Sequence, residues 1–231
     1  MRVNETFYSL QGEGMLVGTP SVFIRLAGCP LRCRWCDTKY AWDFSAGQEL
    51  TPGEIVEQIS QWSCPFVVLT GGEPMVGPDF SVRPGLAELT HRLKEAGKHI
   101  TIETAGLLFV PDLACDLMSI SPKLTNAGSH RDDAQDRSAV TSDPEAIRRL
   151  IQTYPYQLKF VVESPQDAVG IQQALTEWRI APSERVMLMP EATTVEELIS
   201  RSGIIAAMCK ETHLRFGERL HILLWSGRRG T

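Results

Sequence analysis

Cys29, Cys33 and Cys36 place three of the chain's six cysteines in one short loop, at the spacing C-x3-C-x2-C. Three thiolates satisfy three irons of a cubane [4Fe–4S] cluster and leave the fourth iron open to a non-protein ligand, whereas a cluster that only carries electrons normally takes four cysteines. A zinc site would need a fourth Cys or His in a closed arrangement, and no neighbouring His supplies one. The missing fourth ligand is therefore the functional clue. Cys64, Cys115 and Cys209 are scattered and read as small buried residues.

Other chemistry-bearing residues sit within apolar runs or directly after them. Arg25 interrupts Val22-Phe23-Ile24-Arg25-Leu26, a run that predicts a buried strand leading into the cysteine loop. Gly71-Gly72-Glu73-Pro74 follows the strand predicted at Phe66–Thr70, Glu103 closes His99–Glu103, and Ser121-Pro122-Lys123 follows Leu117–Ile120. Parallel α/β folds gather working residues at the C-terminal ends of their strands, so these motifs converge on one site. Glycines let a backbone approach a ligand closely, and a carboxylate or carbonyl is what an ammonium group requires.

The elements that position these residues alternate along the chain. A short extended start at Val3–Phe7 precedes them. Helices are predicted from Thr51 to about Gln61, over Gly85–Ala96 and Pro144–Thr153, from the Ser164–Asp167 cap to about Trp178, and over Thr194–Met208. Further strands fall at Gln157–Val162 and Val186–Met189, with Leu220–Trp225 as a final strand. Alternation of this kind predicts an α/β fold with mostly parallel strands and right-handed crossovers. At 231 residues, the expected form is an open partial (β/α) barrel, since a complete one usually needs about 250. A single domain over 1–231 is expected, with a polar insertion around 124–140 in which Asn126–Ser138 reads as a mobile loop.

Composition narrows the function class. A formal net charge of −5 argues against binding nucleic acid through phosphate neutralisation and favours a small-molecule substrate. No apolar run approaches the roughly 20 residues that span a bilayer, and the start MRVNETFYSLQGEG lacks the basic and apolar blocks of a signal peptide. A cytoplasmic protein without membrane partners is expected, and its reducing surroundings favour metal binding over disulfides.

The cysteine loop and the Gly-Gly-Glu-Pro run resemble the radical S-adenosylmethionine (SAM) superfamily. That resemblance implies an open partial barrel of the radical SAM type and a [4Fe–4S] cluster whose open iron takes the amino and carboxylate groups of SAM. It places Trp35 near the adenine, assigns Gly71, Gly72 and Glu73 to the SAM amino group, and gives Ser121 and Lys123 contacts to ribose and carboxylate. Glu103 and Met189 are further candidates.

A narrower resemblance spans the chain. Phe7-Tyr8-Ser9-Leu10-Gln11-Gly12-Glu13-Gly14, Phe23-Ile24-Arg25-Leu26-Ala27-Gly28-Cys29, Cys36-Asp37-Thr38 and His221-Ile222-Leu223-Leu224-Trp225 with Arg229-Gly230 are similar to the 7-carboxy-7-deazaguanine synthase family. The implied activity is that of a carbon–nitrogen lyase of 7-deazapurine (queuosine) biosynthesis. It converts 6-carboxy-5,6,7,8-tetrahydropterin to 7-carboxy-7-deazaguanine by hydrogen abstraction at C6, ring contraction and loss of ammonia. By the same resemblance Arg25 grips the pterin carboxylate, Gln11 and Glu13 read the amide and amino edges, Thr70 and His221 add contacts, and Thr38 holds Mg2+. The chain departs from the family in two places: Pro30 stands where Asn is usual, and Pro190-Glu191-Ala192 where many members carry Pro-Gln-Gly. A flavodoxin- or ferredoxin-type reductant and a homodimer are the expected partners. The rival readings are an activase that installs a glycyl radical on a partner protein and a simple iron–sulfur carrier or sensor.

Overall fold

The computed structural model describes residues 1–124, 127, 141–181 and 184–231. Strands β1 (Arg2–Leu10), β2 (Pro20–Leu26) and β3 (Gln48–Glu49) lead into helix α1 (Pro52–Ile59), β4 (Phe66–Gly71), α2 (Leu86–Glu95), β5 (His99–Thr104) and β6 (Leu117–Ile120). Then come α3 (Pro144–Thr153), β7 (Tyr156–Val162), α4 (Asp167–Glu177), β8 (Val186–Pro190), α5 (Val195–Thr212), β9 (Arg215–Phe216) and α6 (Leu220–Trp225). The polar insertion expected around 124–140, including the loop at 126–138, lies almost wholly outside the described residues.

One sheet in the order β3-β1-β2-β4-β5-β6-β7-β8-β9 contains all these strands. Its pairs from β2 to β9 are parallel, as the alternation predicted, while β1 runs antiparallel to β2 and β3 antiparallel to β1. The strands β3 and β9 end the order without meeting, so the barrel is open.

Period-two alternation divides each parallel strand between two faces. Val22, Ile24 and Leu26 of β2, Val67 and Leu69 of β4, and Leu158, Phe160 and Val162 of β7 are buried against the helices. Each such side chain contributes roughly 1.5–3 kcal/mol, and a one-residue slip would turn it to the wrong face, which fixes the register. The helices meet this layer with Ile55 and Ile59 of α1, Leu86, Leu89 and Leu93 of α2, and Ile147 and Leu150 of α3. Local chemistry starts them where the sequence predicts: Thr51 and Glu54 form a capping box at α1, Thr194 and Glu197 another at α5.

One element differs in kind from expectation. Leu220–Trp225 is a helix, and the last strand is the two-residue β9. A six-residue apolar run carries too little periodicity to separate strand from helix. The deciding features lie after it: Ser226 adopts the left-handed region at φ 51° and its N–H donates to the Ile222 carbonyl at 2.8 Å, closing a helical end. His221 therefore reaches the site from α6, not from a strand.

Candidate functional site

The face of the sheet turned away from the helices encloses a cavity of about 280 Å³. Six strands each bring a side chain to its wall: Arg25 from β2, Thr70 from β4, Glu103 from β5, Ser119 from β6, Lys159 from β7 and Met189 from β8. In register, Arg25 pairs with Thr70 and Glu103 with Ser119. The polar members of this row occupy positions that alternate with core residues, so the same pattern that builds the core aims them inward.

The segment 11–14, between β1 and β2, forms one side. Lys159 Nζ lies 2.9 Å from Glu13 Oε2 and 3.5 Å from Glu103 Oε1, while Arg219 Nε lies 3.0 Å from Glu13 Oε1. Burial alone would raise the Glu13 pKa, but Lys159 and Arg219 outweigh it and hold the carboxyl well below the usual range. Burial would lower Lys159, yet Glu13 and Glu103 push it up to about 12. Gln11 is buried; its side-chain amide donates to Glu103 at 3.2 Å and accepts from the Glu13 N–H at 3.1 Å. His221 packs so closely on Gly12 that a Cβ there would lie 2.2 Å from its Nδ1. Burial depresses the His221 pKa, leaving a neutral ring able both to donate and to accept.

The cysteine loop lines the same cavity. Cys29, Cys33 and Cys36 are free thiols on the cavity wall. Among the described residues no three His, Cys, Asp or Glu are grouped to hold a single metal ion, as a lone zinc would require; in a cubane each thiolate takes its own iron. Burial pushes the Cys29 thiol up to about 12. Trp35 lines the cavity with its indole Nε1 buried and unpartnered among the described residues. Thr38 Oγ1 sits 3.7 Å from Cys36 Sγ.

The Gly-Gly-Glu-Pro segment is divided in its placement. Gly71 and Gly72 line the cavity, and a Cβ on Gly72 would meet the Gly28 carbonyl at 2.4 Å and Cys29 Cβ at 2.7 Å, so only glycine lets this turn lie against the cysteine loop. Glu73, assigned with Gly71 and Gly72 to the SAM amino group, is not on the cavity wall. It is 1% exposed and accepts from Thr104 Oγ1 at 2.7 Å, the Ala105 N–H at 2.8 Å and the Met75 N–H at 3.2 Å. Its carboxylate holds Thr104 and Ala105, which line the cavity. Buried Arg83 ties the same turn to the cysteine loop, donating to the carbonyls of Pro74, Ala27 and Glu73 at 2.9, 2.9 and 3.0 Å.

Arg25 lines the cavity, yet its Nε donates to Glu5 Oε1 at 2.8 Å. Beside it Phe7 and Phe23 stack with centroids 4.9 Å apart, a flat apolar wall. Lys123 Nζ donates to Ser121 Oγ at 2.8 Å, and both residues line the cavity. The unusual Glu191 turns to an ion pair with Arg201 of α5 and is absent from the cavity wall, so the departure at 190–192 adds no charge there.

Sequence reasoning did not single out Lys159, Arg219 or Gln157. Gln157 is fully buried, accepting from the Met15 N–H at 2.7 Å and donating to Ser119 Oγ at 2.8 Å. The signal for two of them was the one used for Arg25: Gln157 and Lys159 are polar residues at alternate positions of an apolar strand. Arg219, in a short polar link before an apolar run, carried no such mark.

The profile of the Radical SAM superfamily matches residues 23–127. The 7-carboxy-7-deazaguanine synthase of Halobacterium salinarum is 40% identical, the match covering 97% of this chain and 90% of that protein. That of Pyrobaculum aerophilum is 39% identical, with 100% and 97% covered. The crystal structure of QueE from Escherichia coli has the same fold, with a TM-score of 0.70 at 24% identity over 95% of this chain and 94% of that one.

Proposed function

The chain belongs to the 7-carboxy-7-deazaguanine synthase family of radical SAM enzymes, and from that membership we propose that it converts 6-carboxy-5,6,7,8-tetrahydropterin to 7-carboxy-7-deazaguanine with loss of ammonia. The observation that carries the reading is that one cavity is lined both by three free thiols and by Gln11, Glu13, Arg25, Thr70 and His221. Likeness to deazaguanine synthases over nearly the whole chain weighs against the glycyl-radical activase.

The residues present fit the cofactors that the family uses. Cys29, Cys33 and Cys36 would hold the [4Fe–4S] cluster; the buried Nε1 of Trp35 and the close-packed Gly71–Gly72 turn suit an adenosyl and amino-acid ligand beside it. When bound, cluster and SAM together supply one-electron cleavage of the sulfonium and the radical that begins the reaction.

The chain's own part is to orient and to exclude water. Arg25 offers a guanidinium fork to a carboxylate. Ionised Glu13 accepts N–H donors of a flat heterocycle, and neutral His221 serves either polarity. Thr38 offers a hydroxyl to Mg2+, an ion that accepts few protein ligands and keeps water or substrate in its other positions. Ser121 and Lys123 are assigned to SAM. An external reductant such as a flavodoxin or ferredoxin is implied, since the chain carries one cluster motif. The exposed Ile199, Ile204, Leu223 and Leu224 of α5 and α6 support a homodimer. Among the described residues no helix is long and apolar enough to cross a membrane.

Anaerobic reconstitution followed by incubation with SAM, Mg2+, dithionite and the carboxypterin tests the proposal by mass spectrometry. The deazaguanine product is expected. Release of 5′-deoxyadenosine without that product would exclude this substrate, and no SAM cleavage at all would leave a carrier or sensor.

A further inference from the structure

Resting on the pterin reading above, we propose that Arg219 is a positioning residue that couples Glu13 of the substrate-binding set to the Cys36-Asp37-Thr38 segment of the cluster loop. Arg219 is 6% exposed, and its guanidinium joins three distant pieces of chain. Nε donates to Glu13 Oε1 at 3.0 Å, Nη2 to Asp37 Oδ2 at 2.8 Å, and Nη1 to the Ala192 carbonyl at 2.6 Å. A planar fork with fixed donor directions can make this three-way bridge; an ammonium, with one compact charge, cannot.

The bridge is anchored at its root. Arg219 is followed by Leu220, whose N–H donates to the Gly12 carbonyl at 2.8 Å, and by His221, which packs on Gly12. Three successive residues thus hold the 11–14 loop from one side. At the far end, Asp37 lies between Cys36, a cluster ligand in the reading above, and Thr38. Arg219 is the one ion-pair partner of Asp37 among the described residues. Among the described residues Lys159 holds the other oxygen of Glu13 and pairs with Glu13 and Glu103, not with the cysteine loop. Any adjustment of Glu13 to the donors of a bound heterocycle therefore passes through a single rigid group to the cluster side.

The test compares wild type, Arg219→Lys and Arg219→Met as reconstituted, SAM-loaded enzymes. It reads KM and kcat for the carboxypterin and the EPR spectrum of the reduced cluster with and without pterin. Wild type is expected to show a pterin-dependent spectral change. Both variants should keep cluster content and lose that change, with KM raised about tenfold in Arg219→Met and less in Arg219→Lys, which retains the charge beside Glu13. Unchanged KM with a retained spectral response overturns the proposal, as does a wild-type cluster blind to the pterin. If Arg219→Met does not fold, Asp37→Ala cuts only the cluster-side arm; loss of the pterin response there supports the coupling, and an unchanged response overturns it. A wild type that does not convert the pterin removes the functional reading and the coupling with it, whereas an active wild type with unaffected variants removes the coupling alone.

Discussion

Lys159 and Glu13 form an ion pair, 2.9 Å from Nζ to Oε2, in which the lysine side chain is 3% exposed and the glutamate 17%. Removing Lys159 leaves Glu13 its bond to Arg219 but takes a charged hydrogen bond from Glu13 and the ion-pair partner from Glu103, a loss of about 1.5–3 kcal/mol. Lys159→Met should therefore destabilise the enzyme by that order, and Glu13→Gln added to it should restore part of the loss. The pH dependence has a defined sign. Glu13 is depressed below its ordinary 4.5, so its contribution is complete above that value and lost as pH falls toward the folded pKa. Lys159 is raised from 10.5 to about 12, so its contribution is complete below 10.5 and lost as pH rises through about 12. Urea denaturation across acid pH should show a shallower loss in Lys159→Met than in wild type; parallel profiles would mean that the pair does not carry this stability.

Lys159 also marks how far the sequence is legible. Arg25 and Lys159 are the same kind of signal, a cation inside an apolar strand, and both line the cavity. Arg25 is legible because Phe23–Cys29 is one of the blocks that resemble the deazaguanine synthases; β7 lies in none of them. The parallel sheet and its helices were legible because period-two and 3.6-residue patterns extend over enough residues, and because caps such as Thr51 and Thr194 are local. Leu220–Trp225 was not, since the left-handed Ser226 that ends the helix is a property of the fold, invisible in a six-residue run. The three-way role of Arg219 depends on partners more than 180 residues away along the chain, at Asp37 and Glu13, which no local pattern encodes.

Glu73 separates a ligand from a brace. Replacing it by Gln puts an amide group where Thr104, Ala105 and Met75 all donate, leaving at least one buried donor without an acceptor, a cost of about 1–3 kcal/mol. Glu73→Gln should lower the unfolding free energy by that amount, with SAM affinity near wild type because Gly71 and Gly72 face the cavity. A large loss of SAM affinity at unchanged stability would return the carboxylate to the ligand.

Gly12 has no room for a side chain. A Cβ 2.2 Å from His221 Nδ1 forces α6 or the 11–14 loop to move, an overpacking cost of about 1–3 kcal/mol. Gly12→Ala should raise KM for the carboxypterin while the iron content of the reconstituted enzyme stays the same. Normal KM would show that His221 and Glu13 do not have to hold their present positions.

Thr38 is the protein oxygen assigned to Mg2+. Thr38→Ala removes the hydroxyl 3.7 Å from Cys36 Sγ without removing a thiolate. Turnover measured against added Mg2+ should then respond less than in wild type, with the cluster spectrum retained. An unaltered Mg2+ dependence takes Thr38 out of the metal site.

Glu5 faces Arg25 across β1 and β2 and shares its carboxylate between two arginines: Oε1 accepts from Arg25 Nε and Oε2 from Arg229 Nε, each at 2.8 Å. With Nε engaged, the terminal nitrogens of Arg25 have no hydrogen-bond partner among the described residues and remain for a carboxylate in the cavity. Arg25→Ala should weaken carboxypterin binding by about 1.5–3 kcal/mol, roughly ten- to a hundredfold in KM, and leave the cluster intact. Glu5→Gln keeps an acceptor for Nε but weakens both arginine contacts, so its KM should rise by less than that of Arg25→Ala. Because the Glu5 pKa lies below its ordinary 4.5, with burial opposed and outweighed by Arg229, Arg25 and Tyr40, its hold on Arg25 is complete above that pH and fades below it. Unchanged substrate affinity in Arg25→Ala would sink the carboxylate grip. A larger loss in Glu5→Gln than in Arg25→Ala would mean that Glu5 acts on the substrate by some route other than orienting Arg25.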